Sequence, residues 1–535
     1  MSCLNLSCLI PHLTVSSPPP KVPSVGRRNK SNNPFLRSPS LNGPGCGIRC
    51  AVVGGNVKRS DFPPDFAFGA ATSALQTEGA AKLYGKGPST WDRYIQENPE
   101  TIQDGGNIDI TCDSYHRYKE DIAMLKYMGV TSYRFSIAWT RILPKGSLEG
   151  GINQQGIDHY KDVLNELELN GIEPFVTLHH FDTPQALEEK YGGFLSKYIV
   201  NDFKDYCDIC FKNFGDKVKH WITINEPWLV AVHGYSEGST APGRCSAQRG
   251  CKEGNSATEP YLVAHNMILA HAAATQLYRK KYKAKQGGEI GITLIGFWHL
   301  PYSNSVQDLA AVARIRDFDL GWFMEPLVYG DYPVSMKDLV KDRLPAFSID
   351  EKEMVVQSFD FIGINYYTTR FAKGLPLTTK EPPSRETDSR VLKTSVNARG
   401  ESADVILEDV HSLHAAYPEG LRQVLIYLMH RYRNPKIYIT ENGNGNFSEN
   451  SEEFRKGKRD DNYRIEYIRG HLNAVKRARE EGVDVRGYFV WSLMDSFEFS
   501  HGYSVRFGLW FVDYDNDIKR FTKRSANWYC SFLKK

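Results

Sequence analysis

Eight short apolar runs recur along the chain, separated by longer segments with helical spacing, and this alternation limits the possible folds more than any other feature. The runs are FAFGAAT (66–72), YRFSIAW (133–139), PFVTLHH (174–180), HWITINE (220–226), IGITLIG (290–296), DFIGINYY (360–367), IYITEN (437–442) and GYFVWSL (487–493). Their length and β-branched or aromatic content read as strands. Between them, SYHRYKEDIAMLKYMG (114–129) puts Tyr118, Ile122, Leu125 and Met128 on one helical face. Segments 154–171 and 462–482 show the same period, and the first stops at Gly171. Strands alternating with helices predict an α/β fold, a single (β/α)8 TIM barrel. A body of about 475 residues exceeds the roughly 250 of a typical barrel, so long loop insertions are expected. The largest is 370–412, which reads as a polar Pro/Thr/Ser-rich loop (KGLPLTTKEPPSRETDSR).

The chain before the first run is different in kind. It has no Asp or Glu before Asp61, but carries Lys21, Arg27, Arg28, Lys30, Arg37, Arg49, Lys58 and Arg59 among many Ser and Pro. Such a stretch cannot bury a core and is expected to be disordered. Basic, Ser-rich and acid-poor is the pattern of a transit peptide. Residues 1–50 are therefore expected to direct the protein to the chloroplast, with cleavage near Cys50-Ala51-Val52, and residues 60–535 to form the catalytic domain. A secretory or vacuolar route is the alternative, but Pro11 follows Leu9-Ile10 before an apolar core develops. Taking those eight cations from a net charge of +3 leaves −5, so the body offers nothing to attract a nucleic acid. No run is long and apolar enough to span a membrane. A homo-oligomer stays open.

In a TIM barrel the reactive groups sit at the C-terminal ends of the strands, and nearly every run here ends on a polar or aromatic residue. The first leads to Gln76 and Glu78, the second holds Arg134 and Trp139, and the third ends in His179, His180 and Asp182. The others end in Asn225-Glu226, Asn365-Tyr366-Tyr367, Glu441-Asn442, and Trp491 followed by Asp495 and Glu498. One such ending is an ordinary strand tip; the recurrence points to a polar pocket at one mouth. Glu226 and Glu441 end the fourth and seventh strands and could face each other. Two opposed carboxyls suit glycoside hydrolysis, one as proton donor and one as nucleophile. Trp491 offers a face for a sugar ring, and Gln76, His180, Asn225 and Glu498 can bond hydroxyls. No Gly-rich phosphate loop is present, and His179-His180 lacks metal-ligand spacing, so neither cofactor nor metal is expected. Cys207-x-x-Cys210 falls in a helical stretch, where two cysteines one turn apart on an apolar face explain it better than a redox motif. Cys245 and Cys251 bracket a short Gly/Arg-rich loop, where a disulfide staple is plausible.

From about Phe62 to its end the chain resembles glycoside hydrolase family 1, of the plant β-glucosidase type. The resemblance rests on FPPDFAFGAATSALQTEGA, YRFSIAWTRILP, TLHHFDTPQAL, TINEPW, GINYYT, YITENG and WSLMDSFEFSHGYSVRFGL. It implies a (β/α)8 barrel and a retaining, two-step mechanism on a small-molecule β-glucoside. Glu226 is implied as acid/base and Glu441 as nucleophile, at the roughly 5–5.5 Å separation of a retaining pair. Gln76, His180, Asn225, Glu441, Trp491 and Glu498 are implied around the glycosyl ring. Tyr367 is implied to bond the nucleophile, Arg134 to lie beneath it, Phe507 to pack at the pocket rim, and Cys245–Cys251 to form a disulfide.

The chain departs from the family where Phe181 and Phe499 replace tryptophans. Phe499 keeps contact but lacks an indole N–H for a sugar hydroxyl, which leaves glucose against galactose or fucose open. A carboxyl at Glu226 favours O-glycosides over thioglucosides. With a plastid leader, the body looks like plant glucosidases that release defence compounds. Steroidal saponins of the furostanol type are the first expectation for the aglycone, ahead of isoflavonoid, cyanogenic, benzoxazinoid or terpenoid-alkaloid glucosides. The alternatives are a transglucosidase on the same scaffold and a non-catalytic sugar-binding protein.

Overall fold

The computed structural model describes residues 57–403, 413–414, 416–447, 452 and 460–534, and the expected transit peptide lies outside them. All eight apolar runs form strands: β1 (Ala67–Ala71), β2 (Ser132–Ser136), β3 (Glu173–His179), β4 (His220–Asn225), β5 (Glu289–Ile295), β6 (Phe361–Asn365), β7 (Ile437–Asn442) and β8 (Val485–Trp491). They pair in chain order, and β8 closes on β1 in a parallel register running from Ala67–Gly487 to Ala71–Trp491. Every other neighbouring pair is also parallel. This is the expected (β/α)8 barrel.

Parallel strands need crossover connections, which put helices over the outer face and bury each strand on both sides. That burial is why the runs are nearly continuous in apolar residues. β1, β2, β6 and β7 are buried throughout. Inside the barrel, Phe175, Ile222, Phe361, Tyr438 and Phe489 form the floor. Phe175 meets Phe489 at 4.8 Å and Tyr438 at 5.1 Å between ring centroids, inclined as aromatic quadrupoles prefer. Outside, helix Ser114–Met128 turns Ile122, Leu125 and Met128 into the core and ends at Gly129, φ +74°. Above the floor, a Cβ on Gly363 of β6 would stand 2.2 Å from Thr293 Oγ1, so only glycine lets these strands carry their threonines so close.

The insertions follow the strands. The segment 370–412, expected as a polar loop, is not one over its described part. Thr369–Gly374 and Val391–Thr394 join Trp298–Pro301, from the loop after β5, in a three-stranded sheet. The partner strand comes from a different loop, so local composition could not announce the pairing. Residues 404–412 lie outside the described residues.

After β4 the chain makes a π-helix, Val230–Glu237, and then a loop held by the Cys245–Cys251 disulfide, Cα–Cα 5.2 Å, as the resemblance implied. Closing so short a loop in the unfolded chain is worth about 2 kcal/mol in the chain-entropy model. Cys251→Ser should lower the denaturation midpoint accordingly; an unchanged midpoint would show that the loop's own hydrogen bonds suffice. Cys207 and Cys210 are buried on the apolar face of helix Tyr198–Phe214, where burial pushes both thiols up and away from redox reactivity.

Candidate active site

Strict alternation along β4 and β7 would not deliver the residues found at the barrel mouth. On β4, Ile222 faces inward. Thr223 instead bonds His271 on the outer helix Glu259–Lys281 at 2.7 Å, and Ile224 packs in the outer core. Two successive outward residues mark a register slip between Ile222 and Asn225, which turns Asn225 inward. Glu226 then takes φ +43°, ψ 60°, a left-handed conformation that costs a non-glycine residue on the order of 1–3 kcal/mol. On β7 the register slips between Ile439 and Glu441 and aims Glu441 into the mouth.

One buried cation ties the strands together. Arg134, from β2, ion-pairs with Glu441 Oε1 and donates to Asn225 Oδ1 at 2.6 Å, Thr440 O at 3.2 Å and Thr177 Oγ1 at 3.3 Å. Tyr367 donates its phenol to Glu441 Oε2 at 2.5 Å. Burial and the Glu441 charge raise the Tyr367 pKa well above its ordinary value, so it remains a donor. Both oxygens of Glu441 are thus held, and the carboxylate faces a permanent positive charge.

Glu226 is placed differently. It is 4% exposed, and its Oε1 accepts from Asn365 Nδ2 at 2.7 Å. Burial, and then the charge of Glu441, push its pKa up to about 8. The two carboxyls thus sit in unlike environments, one raised by burial and a neighbouring charge and the other ion-paired, the kind of asymmetry that an acid and a nucleophile require.

Asn365 is a functional residue that the sequence reading passed over as a strand end. It bonds Glu226 and also Asn225 Oδ1 at 3.1 Å, while its own Oδ1 accepts from Thr440 Oγ1 at 2.7 Å, which fixes the amide's orientation. Its place at the C-terminal end of β6 was the available signal.

The remaining implied sugar contacts gather alongside. Asn225 Nδ2 donates to His180 Nε2 at 3.3 Å. Burial, with Arg134 nearby, drives the His180 pKa well below its usual value, so the ring is neutral. It stacks on Trp491 at 5.8 Å. Glu498 Oε1 accepts from Gln76 Nε2 at 3.3 Å and Trp491 Nε1 at 3.4 Å, and burial raises its pKa to about 8. Gln76 is itself anchored by Ser73 and the Phe497 carbonyl.

Phe507, expected at the rim, clusters with Trp491 and Tyr367. It is 4% exposed and meets the Tyr367 ring edge-to-face at 6.1 Å. Its place is set by Val505 and Gly445, which the sequence alone does not bring together. Phe499 sits edge-to-face with Phe181 at 5.4 Å and against Trp91 at 5.0 Å. These three rings, with Leu229, Val230 and Tyr235, line an apolar cavity of ≈ 170 Å³ beside the polar pocket.

Comparison with known proteins shows the family. The glycosyl hydrolase family 1 model matches residues 58–535. A furostanol glycoside 26-O-β-glucosidase from Hellenia speciosa is 52% identical over 478 residues, covering 89% of this chain and 84% of the relative. A β-glucosidase 24 from Oryza sativa subsp. japonica is 50% identical over 479 residues, covering 89% and 94%. Among solved structures, a mutant of the rice Os3BGlu6 β-glucosidase in a covalent complex with Glc superposes with TM-score 0.86 at 44% identity, covering 89% of this chain and 100% of that one. The chain belongs to glycosyl hydrolase family 1 and is a glycosidase.

Proposed function

We propose that this β-glucosidase removes the terminal β-D-glucosyl residue of a plant O-glucoside with retention, Glu441 acting as nucleophile and Glu226 as acid/base. The supporting observation is the asymmetry of the pair: a Glu226 raised in pKa and an Arg134-paired Glu441. In the first step a Glu441 oxygen bonds the anomeric carbon as the bond to the aglycone oxygen breaks, and that oxygen takes the Glu226 proton. The Glu441 charge is now consumed in an ester. Since that charge helps hold the Glu226 pKa up, esterification lowers it and turns the acid into a base. In the second step Glu226 takes a proton from water, the hydroxide oxygen bonds the anomeric carbon, and Glu441 leaves as carboxylate. Gln76, His180, Asn225, Trp491 and Glu498 hold the sugar, with Asn225 bonding the 2-hydroxyl.

Proton NMR of the first-formed sugar tests the stereochemistry: β-glucose must appear before mutarotation, and α-glucose first would overturn the reading. Because Glu226 is active when protonated, kcat/KM should fall as pH rises through about 8. A profile flat from pH 6 to about 10, beyond an ordinary carboxyl's range, would contradict that role.

For the aglycone, a steroidal saponin of the furostanol type is favoured by the 52% identity to the Hellenia speciosa enzyme and by the apolar cavity beside the pocket. Incubation with a plant glycoside extract and mass analysis of the released aglycones tests this. Plastid import follows from the acid-free, basic leader; a fluorescent reporter behind residues 1–60 should enter plastids, and secretion would refute it.

A further inference from the structure

The inserted sheet carries a cation that the proposed mechanism does not use. Lys393, on Val391–Thr394, is an exposed residue whose ammonium turns over two aromatic rings, 5.0 Å from the centre of Trp228 and 5.5 Å from that of Phe297. Both rings belong to the mouth of the barrel. Trp228 stands two residues beyond Glu226, and Phe297 two residues beyond the end of β5; they meet edge-to-face at 5.2 Å.

The surrounding acids have other partners, although the Lys393 charge also helps to lower the Asp319 pKa. Asp319 bonds Arg385 at 2.5 Å, Glu237 bonds His233 at 2.6 Å, and Glu386 pairs with Arg249 at 3.1 Å. Among the described residues the Lys393 ammonium has no hydrogen-bonding or ion-pairing partner; the Asp319, Glu237 and Glu386 charges act on it through space, and it lies over the two rings. A cation over aromatic faces keeps part of its attraction without spending its three N–H donors. Those donors remain for something that arrives from outside.

What arrives there is set by the chemistry of Glu226. A proton donor serves the oxygen that departs, and Trp228, beneath the Lys393 ammonium, follows Glu226 by two residues in the chain. We propose that Lys393 is a specificity-determining residue that binds an acceptor oxygen on the aglycone, beyond the bond that is cut. A phenolic acid would supply that oxygen as a carboxylate and a hydroxylated steroid as a neutral hydroxyl. The assignment rests on the β-glucosidase reading above.

The test compares kcat/KM for 4-carboxyphenyl and 4-(methoxycarbonyl)phenyl β-D-glucosides, and for the 4-(hydroxymethyl)phenyl and 4-ethylphenyl pair, in the wild-type and Lys393→Met enzymes. Dividing each acceptor compound by its mate, and then wild type by variant, cancels the intrinsic reactivity of the leaving groups. The carboxylate ratio is expected to fall about tenfold in Lys393→Met, and in the wild type to fall as salt screens the charge. Lys373→Met, on the neighbouring strand with its ammonium over Tyr302, should leave the ratio alone. A loss confined to the carboxylate pair supports an anionic leaving group, and a loss shared by the hydroxymethyl pair supports a neutral oxygen. Ratios within twofold of wild type for both pairs would overturn the Lys393 assignment while leaving the β-glucosidase reading intact. Failure of the wild-type enzyme to cleave any of the four would overturn both.

Discussion

Replacement of Glu441 by Gly is expected to lower turnover of an aryl β-glucoside by roughly 10⁴-fold or more, the scale seen when a covalent nucleophile is removed. Without that carboxylate no glucosyl ester forms, and water has no activated path from the same face. Azide added to the variant should enter the vacated space and displace the aglycone once. One displacement inverts the centre, so the product should be the α-glucosyl azide, whereas the proposed two-step route of the wild-type enzyme should give the β-sugar. The change also strips Arg134 of its counter-ion, and an uncompensated buried charge destabilises by about 3–5 kcal/mol. Glu441→Gln, which keeps the shape and one acceptor, is the companion variant for separating lost chemistry from lost structure. If either folded variant turned over at more than a hundredth of the wild-type rate, Glu441 would have no part in bond-breaking.

Glu226→Gln should show a different signature. The side-chain oxygen can still accept from Asn365, so the geometry survives and only the proton is lost. An alkyl glucoside, whose alkoxide leaves only when protonated, should slow by roughly 10²–10⁴-fold. A 2,4-dinitrophenyl glucoside needs no acid, so its first step should continue. Its second step, lacking a base, should lag, giving a burst of phenolate followed by a slow steady state. The fall in rate above about pH 8, assigned to this group, should vanish from the profile. Equal losses for the two leaving groups would remove Glu226 from the acid role.

The barrel was readable because its strands are buried on both faces, which leaves a near-continuous apolar run as the only solution for each of β1 to β8. The cluster at the mouth was readable for a related reason: the acids and amides, such as Asn225 and Glu441, stand at the ends of these runs, although Arg134 lies in the middle of β2. Asn365 escaped because nothing local distinguishes an amide that fixes a carboxyl from one that finishes a strand. The sheet formed by Trp298–Pro301, Thr369–Gly374 and Val391–Thr394 escaped because its order depends on two loops meeting.

Glu226 and Glu441 point where they do because β4 and β7 each break step before their last residues. A designer who copied the side chains of this mouth onto a perfectly regular barrel would obtain a sound fold with its acids facing the wrong way. What must be transplanted is the pair of missteps, which appear in no list of essential side chains.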